Sequence, residues 1–230
     1  MTGTANETKG VDRTPRTARG TRTREKILRA AESVFAQLGY TEASIVRITE
    51  EAGVGQGTFY LYFESKLQVF EETVEDLNRR VRHAMSTAAA KGRNRIEAER
   101  LGFEGFFAFT AEHPALYRII REAEFVSPRA LKLHYSRIVD GYVDGLTKAR
   151  DAGEIDTDPT VAAWALMGIG EMLGMRWVLW GDRADSGDVG PLAGETSQMP
   201  TEVLDEMMRF IQRGLGSRGA AAPDDREDQP

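Results

Sequence analysis

GVGQGTFYLYFESK, residues 53–66, sets Phe59, Tyr60, Leu61, Tyr62 and Phe63 in a row behind glycines at 53, 55 and 57. A helix exposing all five large side chains would be adhesive, and one burying all five would have no outer face. Helical spacing resolves the conflict. Phe59 and Phe63 are four apart and share a face, so a short helix over 56–62 turns its phenylalanines inward and its tyrosines elsewhere.

Working outward, Ile27, Ala31, Val34, Phe35 and Leu38 form one apolar stripe that stops at Gly39. Ile45, Ile48 and Ala52 form a second, shorter one, with Ser44 placed as its N-cap and Gly53 as its stop. A long helix, a short helix, a glycine-containing turn and another short helix make a helix-turn-helix arrangement. Phe59 and Phe63 have Ile27, Ala31, Ile45 and Ile48 to pack against. Gln56, Gly57 and Thr58 then form a helix N-terminus, where free amides and the helix dipole favour anions. Gln pairs with adenine edges and Thr with a thymine methyl. The hydroxyls of Tyr60 and Tyr62 suit phosphates, and Lys66 is placed for another. A nucleotide-binding glycine loop does not fit: no GK[ST] follows, and the preceding segment reads as helix rather than strand.

The rest of the chain carries the same period. Ser65 and Gln68 have capping-box spacing ahead of Leu67, Phe70, Val74, Leu77, Val81 and Met85. Helices follow over about 96–112 and 115–123. Ser127-Pro128 opens the next one, with Leu131, Tyr135, Ile138, Tyr142 and Leu146 on one face. Asp158-Pro159 opens an apolar helix expected to run to Trp180, and Pro200 opens the last. The expectation is all-α, with nine helices. Residues 1–20 read as a flexible basic arm, 181–200 as a long polar loop and 217–230 as a disordered tail.

Composition bounds the chemistry. The chain has 230 residues, 41% hydrophobic and 29% charged, with no cysteine; disulfides, thiolate zinc sites and cysteine nucleophiles are excluded. That composition suits a reducing cytoplasm. His83, His113 and His134 are not at metal-ligand spacing, and neither metal nor cofactor is expected. Residues 161–180 hold only Glu171 and Arg176 as charges, but two charges and three glycines argue for a buried or interface helix rather than a membrane span. The net charge of −6 hides an asymmetry: residues 9–29 carry 8 basic and 2 acidic side chains. A basic end on an acidic protein suits a polyanion met at one end, or a solvated tail.

Residues 24–66, REKILRAAESVFAQLGYTEASIVRITEEAGVGQGTFYLYFESK, resemble the DNA-binding domain of the TetR family of bacterial regulators. The elements that carry the resemblance are IL-x-AA-x-x-x-FA-x-x-GY, AS-I-x-x-I and EAGVG-x-GTFY-x-YF-x-SK. It covers about a fifth of the chain. It implies a helix-turn-helix domain over 21–66, with DNA contacts at Ser44, Arg47, Gln56, Gly57, Thr58, Tyr60, Tyr62 and Lys66. Tyr62 stands where many members have histidine. Arg22 and Arg24, with Arg19, are expected to reach phosphates or a minor groove, or only to add long-range attraction.

The resemblance further implies that residues 67–216 bind an effector and form a homodimer through the last two helices. Gly170 and Gly174, four apart, remove bulk, and Met172 and Met208 suit an adaptable seam. With Leu204 and Ile211 they are the expected subunit interface, or else intrachain core. Phe103, Phe106, Phe107, Tyr117, Trp164 and Trp177 are expected to line an apolar cavity, or to be plain core. Arg121 could meet a carboxylate or phosphate there, or form a surface salt bridge. The expected partners are double-stranded DNA with a palindromic operator, a second copy of the chain, and a small hydrophobic or amphipathic effector, possible examples including acyl chains with an anionic head. The expected function is transcriptional regulation, as a repressor, with two recognition helices in major grooves roughly 34 Å apart. The rivals are an activator and an all-helical lipid carrier or enzyme. No catalytic constellation is present.

Overall fold

Most of the helices begin where a side chain can satisfy the first free amides. In the computed structural model, which describes residues 17–181 and 197–216, Thr17 caps α1 (Ala18–Glu42) and accepts from the Gly20 amide at 3.1 Å. Ser44 caps α2 (Ile45–Glu51), accepting from Arg47 at 3.2 Å. Next comes α3 (Gln56–Tyr62), and then α4 (Lys66–Ala89). Before α4, Gln68 donates its amide to Ser65 Oγ at 3.1 Å, and its side chain reaches back to accept from the Glu64 amide at 2.6 Å, one residue ahead of the cap amide that a capping box uses. Asn94 caps α5 (Arg95–Glu112), a cap absent from the sequence expectation. Then follow α6 (Ala115–Val126), and α7 (Pro128–Asp151) capped by Ser127. Asp158 caps α8 (Pro159–Leu173) through the amides of Thr160 and Val161. The last helix is α9 (Thr201–Gly214). Among the described residues there are nine α-helices and no strand.

Two boundaries differ from expectation. α1 starts at Ala18, so residues 18–20 are helical rather than part of an arm. Thr21 and Thr23 help by donating their hydroxyls to the carbonyls of Thr17 and Arg19, at 3.2 and 3.0 Å. The expected arm over 1–16, most of the polar loop and the tail lie outside the described residues. The apolar helix expected to reach Trp180 changes to a π-helix over Gly174–Trp180. At that change Tyr117 donates its hydroxyl to the Glu171 carbonyl at 2.9 Å. A side chain entering the carbonyl ladder is one of the few things that loosens a helical turn.

The described residues fall into two compact units that meet in sequence between Thr73 and Val74, inside α4 rather than at its start. In the first, Ile27, Ala31, Phe35, Ile48, Phe59 and Phe63 are completely buried. Phe70 joins them edge-on to Phe35, with 5.2 Å between ring centroids.

In the second unit the core is built from α5, α7, α8, the π-helix and α9. It includes Phe103, Phe107, Leu146, Leu166 and Val178. Leu204, Met208 and Ile211 belong to this core too, the intrachain alternative to a subunit interface. The small glycines serve the same interior. A methyl group on Gly170 would sit 2.9 Å from the Phe103 ring, and one on Gly174 would sit 2.6 Å from the Tyr117 hydroxyl. Both face the chain's own aromatics. Of the expected interface residues only Met172 is exposed.

One buried polar group gives this unit a pH response. His134 is buried on α7, and Asn78 of α4 donates to its carbonyl at 2.9 Å and to its Nδ1 at 3.1 Å. Burial, assisted by the charge of Arg82, pushes the imidazole down to about 4. An unfolded histidine titrates near 6.5. The unfolded chain therefore takes up a proton that the folded chain refuses. The stabilisation is complete above pH 6.5 and is lost as the pH falls toward 4, by about 3 kcal/mol in all. Urea unfolding at pH 7 and pH 4.5 should show this decline, and His134→Asn, which keeps an acceptor without the titration, should flatten it.

Candidate nucleic-acid interface and ligand cavity

The first unit presents one short helix outward. Phe59 and Phe63 anchor α3 from below, and Gln56, Gly57 and Tyr60 are exposed, with Tyr60 at 46%. Thr58 and Tyr62 are half-buried. The Tyr60 ring stands edge-on to Phe59, at 5.4 Å between centroids, so its position is set by packing while its other edge meets solvent. Gly55 precedes the helix and offers no side chain to cap it. The Thr58 amide turns back to the Gly55 carbonyl at 2.9 Å, which leaves the amides of Gln56 and Gly57 for an acceptor from outside.

Gly57 has no intramolecular reason to be glycine. A Cβ there would meet nothing within 4 Å, and its φ lies outside the left-handed region. A helical glycine costs up to about 1 kcal/mol relative to alanine. Close approach of another molecule to the backbone is the physical account that remains. On α2, Arg47 is exposed, whereas Ser44 spends its hydroxyl on the cap.

Lys66 does not stand free for a phosphate. Its ammonium donates to the carbonyls of Tyr40 and Ala43 at 2.8 Å each and Thr41 at 3.3 Å, and it lies 4.4 Å from the centre of the Tyr40 ring. All three protons are committed to the chain around the end of α1. Arg24 likewise pairs with Glu72 and lies over the Phe63 ring at 5.2 Å. Folding thus gives both cations partners within the chain. Sequence spacing places a cation but not the carbonyls or carboxylate that folding brings to it. Arg19 and Arg22 are exposed on the first turns of α1, on helix rather than on a flexible arm.

The second unit holds an apolar cavity of about 50 Å³. Phe103, Phe106 and Tyr117 line it, together with Ile120, Tyr135, Met167 and Glu171. The other expected residues do not. Phe107 faces the core, Trp164 is half exposed, and neither Arg121 nor Trp177 reaches the cavity wall. Gly170 lines this cavity as well. Glu171 makes its polar pole: Tyr135 donates to the carboxylate at 3.2 Å, and Tyr117 donates to the carbonyl of the same residue. Burial first, and then Glu171, pushes Tyr135 up to about 12 and Tyr117 higher still. Both phenols therefore stay protonated donors at neutral pH. The signal for Glu171 was its isolation as a charge in an apolar helix; Tyr135 was visible only as part of a stripe.

A trihelical head that buries one side of a short helix and leaves its uncapped start exposed is a helix-turn-helix module. Residues 27–73 match the model of the bacterial regulatory proteins of the TetR family. The chain is 32% identical over 120 residues to YdgC of Bacillus subtilis strain 168, described as an uncharacterized HTH-type transcriptional regulator. That match covers 50% of this chain and 60% of YdgC. It is 33% identical over 108 residues to the HTH-type transcriptional activator FasR of Mycolicibacterium smegmatis, covering 45% of this chain and 48% of FasR. The chain spans about half the length of these curated relatives. The fold as a whole is similar to the crystal structure of the regulator FadR from Bacillus subtilis in complex with stearoyl-CoA. The TM-score there is 0.65 at 19% identity, over 83% of this chain and 98% of FadR. The family is one of regulators, not enzymes.

Removing the Lys66 ammonium tests its role within the chain. Lys66→Met should destabilise the protein by about 2 kcal/mol, the scale of hydrogen bonds from a charged donor, as read by urea unfolding in circular dichroism. The salt dependence of any DNA binding should keep its slope, because no phosphate contact is lost.

Proposed function

We propose that the protein is a sequence-specific DNA-binding repressor that holds a palindromic operator as a homodimer and is released by a small amphipathic effector. The observation that carries the DNA contact is the exposed, uncapped start of α3 at Gln56 and Gly57, with half-buried Thr58 beside it, held in place by Phe59 and Phe63. Arg47 on α2 and the Tyr60 hydroxyl flank it and are the proposed phosphate ligands, with Tyr62, Arg22 and the Ser44 cap at the margin. The helix enters the major groove, and Gly57 lets the backbone approach the duplex.

Dimerisation is supported by the apolar side chains that α8 and α9 leave uncovered. Val161, Trp164 and Met172 are exposed on α8, as is Phe210 on α9. An interface of this kind would bury them and match the two-fold symmetry of an operator. The effector reading is supported by the apolar cavity with its Tyr135–Glu171 pole and by the likeness to a regulator crystallised with stearoyl-CoA. No helix among the described residues is long and apolar enough to cross a membrane, which suits action beside the chromosome in the cytoplasm. A second reading, activation, is favoured by the likeness to FasR. Transcription from an operator-bearing promoter, with and without the protein, separates the two.

Operator selection with the purified protein tests the proposal, and failure to enrich a palindrome would overturn it. On the selected operator, Gly57→Ala should move stability and binding in opposite directions. It should stabilise the fold by up to about 1 kcal/mol and weaken the gel-shift affinity at least tenfold. Arg47→Ala should weaken binding and reduce the salt slope by about 1.

A further inference from the structure

The second unit contains another, larger cavity of about 460 Å³ between α4, α5 and α7. Its wall differs in kind from the apolar one. Arg79, Arg82 and His83 come from α4, and Arg95 and Glu99 from α5. The two cavities share Met85, Ile138 and Tyr142, so one residue layer separates them.

Two arginines here are built for something the chain does not provide. Arg82 is held at one nitrogen only: its Nε donates to Asn78 Oδ1 at 3.0 Å. Asn78 is itself fixed by His134, and both are buried. A buried amide and a buried imidazole thus orient a guanidinium that has no carboxylate in ion-pair range among the described residues. Arg95 gives one arm to Glu99, a carboxylate with 1% of its side chain exposed, yet its buried Nε has no acceptor. The opposite helix makes room for that guanidinium. Any side chain at Gly145 would collide with the Arg95 Nη1. Gly141 on the same helix leaves open space at the cavity wall, since a Cβ there would touch nothing within 4 Å.

A planar guanidinium with unfilled donors, fixed at the wall of a cavity, is suited to an oxyanion. We infer that this chamber takes the anionic head of the effector, with Arg82 and Arg95 as its ligands, while the tail passes Met85 into the apolar cavity, which must widen beyond its about 50 Å³ to admit it. This inference rests on the effector reading above and deepens it. Glu99 is the built-in competitor: it holds Arg95 when the chamber is empty and yields one arm to the arriving oxyanion. Met85, unbranched and flexible, is the side chain in the shared wall best able to turn aside for a tail. Arg79, ion-paired with Asp76 and largely exposed, marks the rim.

Calorimetric titration of the full chain with lauroyl-CoA, laurate and 1-dodecanol, at the same chain length, tests this. The wild type should bind at least one of the two anionic probes tenfold or more tighter than dodecanol; which one separates a phosphate-bearing head from a carboxylate. Arg82→Gln should abolish that preference and leave dodecanol binding unchanged. Arg82→Lys, which keeps the charge but loses the planar fork, should retain part of it. Glu99→Gln should tighten the anionic probe several-fold by releasing Arg95, an effect of the opposite sign that a merely structural pair would not produce. A full preference kept by both Arg82 variants, or weaker anion binding in a folded Glu99→Gln protein, overturns the inference. If dodecanol binds as tightly as the anions and releases DNA, the inference falls and the effector reading stands. If none of the three binds, both fall.

Discussion

The burial of Phe59 and Phe63 beneath a helix of seven residues is the constraint from which the rest of the first unit follows. So short a helix has no stability of its own in water. Two fully buried phenylalanines supply it, each worth roughly 2–3 kcal/mol of apolar burial. Because they lie four apart, they fix the rotation of α3 as well as its position. Gln56, Gly57 and Tyr60 face outward as a direct consequence. The uncapped amides at the start of the helix are tolerable only because that end meets solvent or a ligand.

Cations near this head divide by what surrounds them. Lys66 and Arg24 are absorbed into the protein, one by the carbonyls at the end of α1 and the other by Glu72 and an aromatic face. Arg47 and Arg22 remain in solvent. Only the second kind is available to a polyanion without breaking structure. A charged side chain that closes a helix end stabilises the platform from which its neighbours act, so it can matter to binding without touching DNA.

The second unit uses polar groups more sparingly and deeper. Glu171, Tyr135 and Tyr117 make a donor-rich pole in an apolar cavity, while Asn78 and His134 orient Arg82 toward a different one. Buried polar groups are stable only when their hydrogen bonds are satisfied. Most here are. The buried Nε of Arg95 is an exception, in a side chain that lines the roomier chamber.

Much of the architecture was legible in the chain. Stripes at helical spacing, the caps at Ser44, Ser65, Ser127 and Asp158, the left-handed break at Gly39 within α1 and the stop at Gly53 are local features, set by residues within a turn or two of one another. The inward phenylalanines and outward α3 residues follow from the same periodicity. What periodicity cannot say is which neighbour a face will meet. Gly170, Gly174, Leu204, Met208 and Ile211 read equally well as a subunit seam or as core, and only packing against Phe103, Phe106 and Tyr117 decided for the interior. The same holds for Lys66, whose acceptors lie more than twenty residues away in sequence, and for the π-turn, which coincides with a hydroxyl from α6. Local backbone and capping energetics determined the helices. Long-range contacts, which no single segment encodes, decided the partners of each buried or charged side chain.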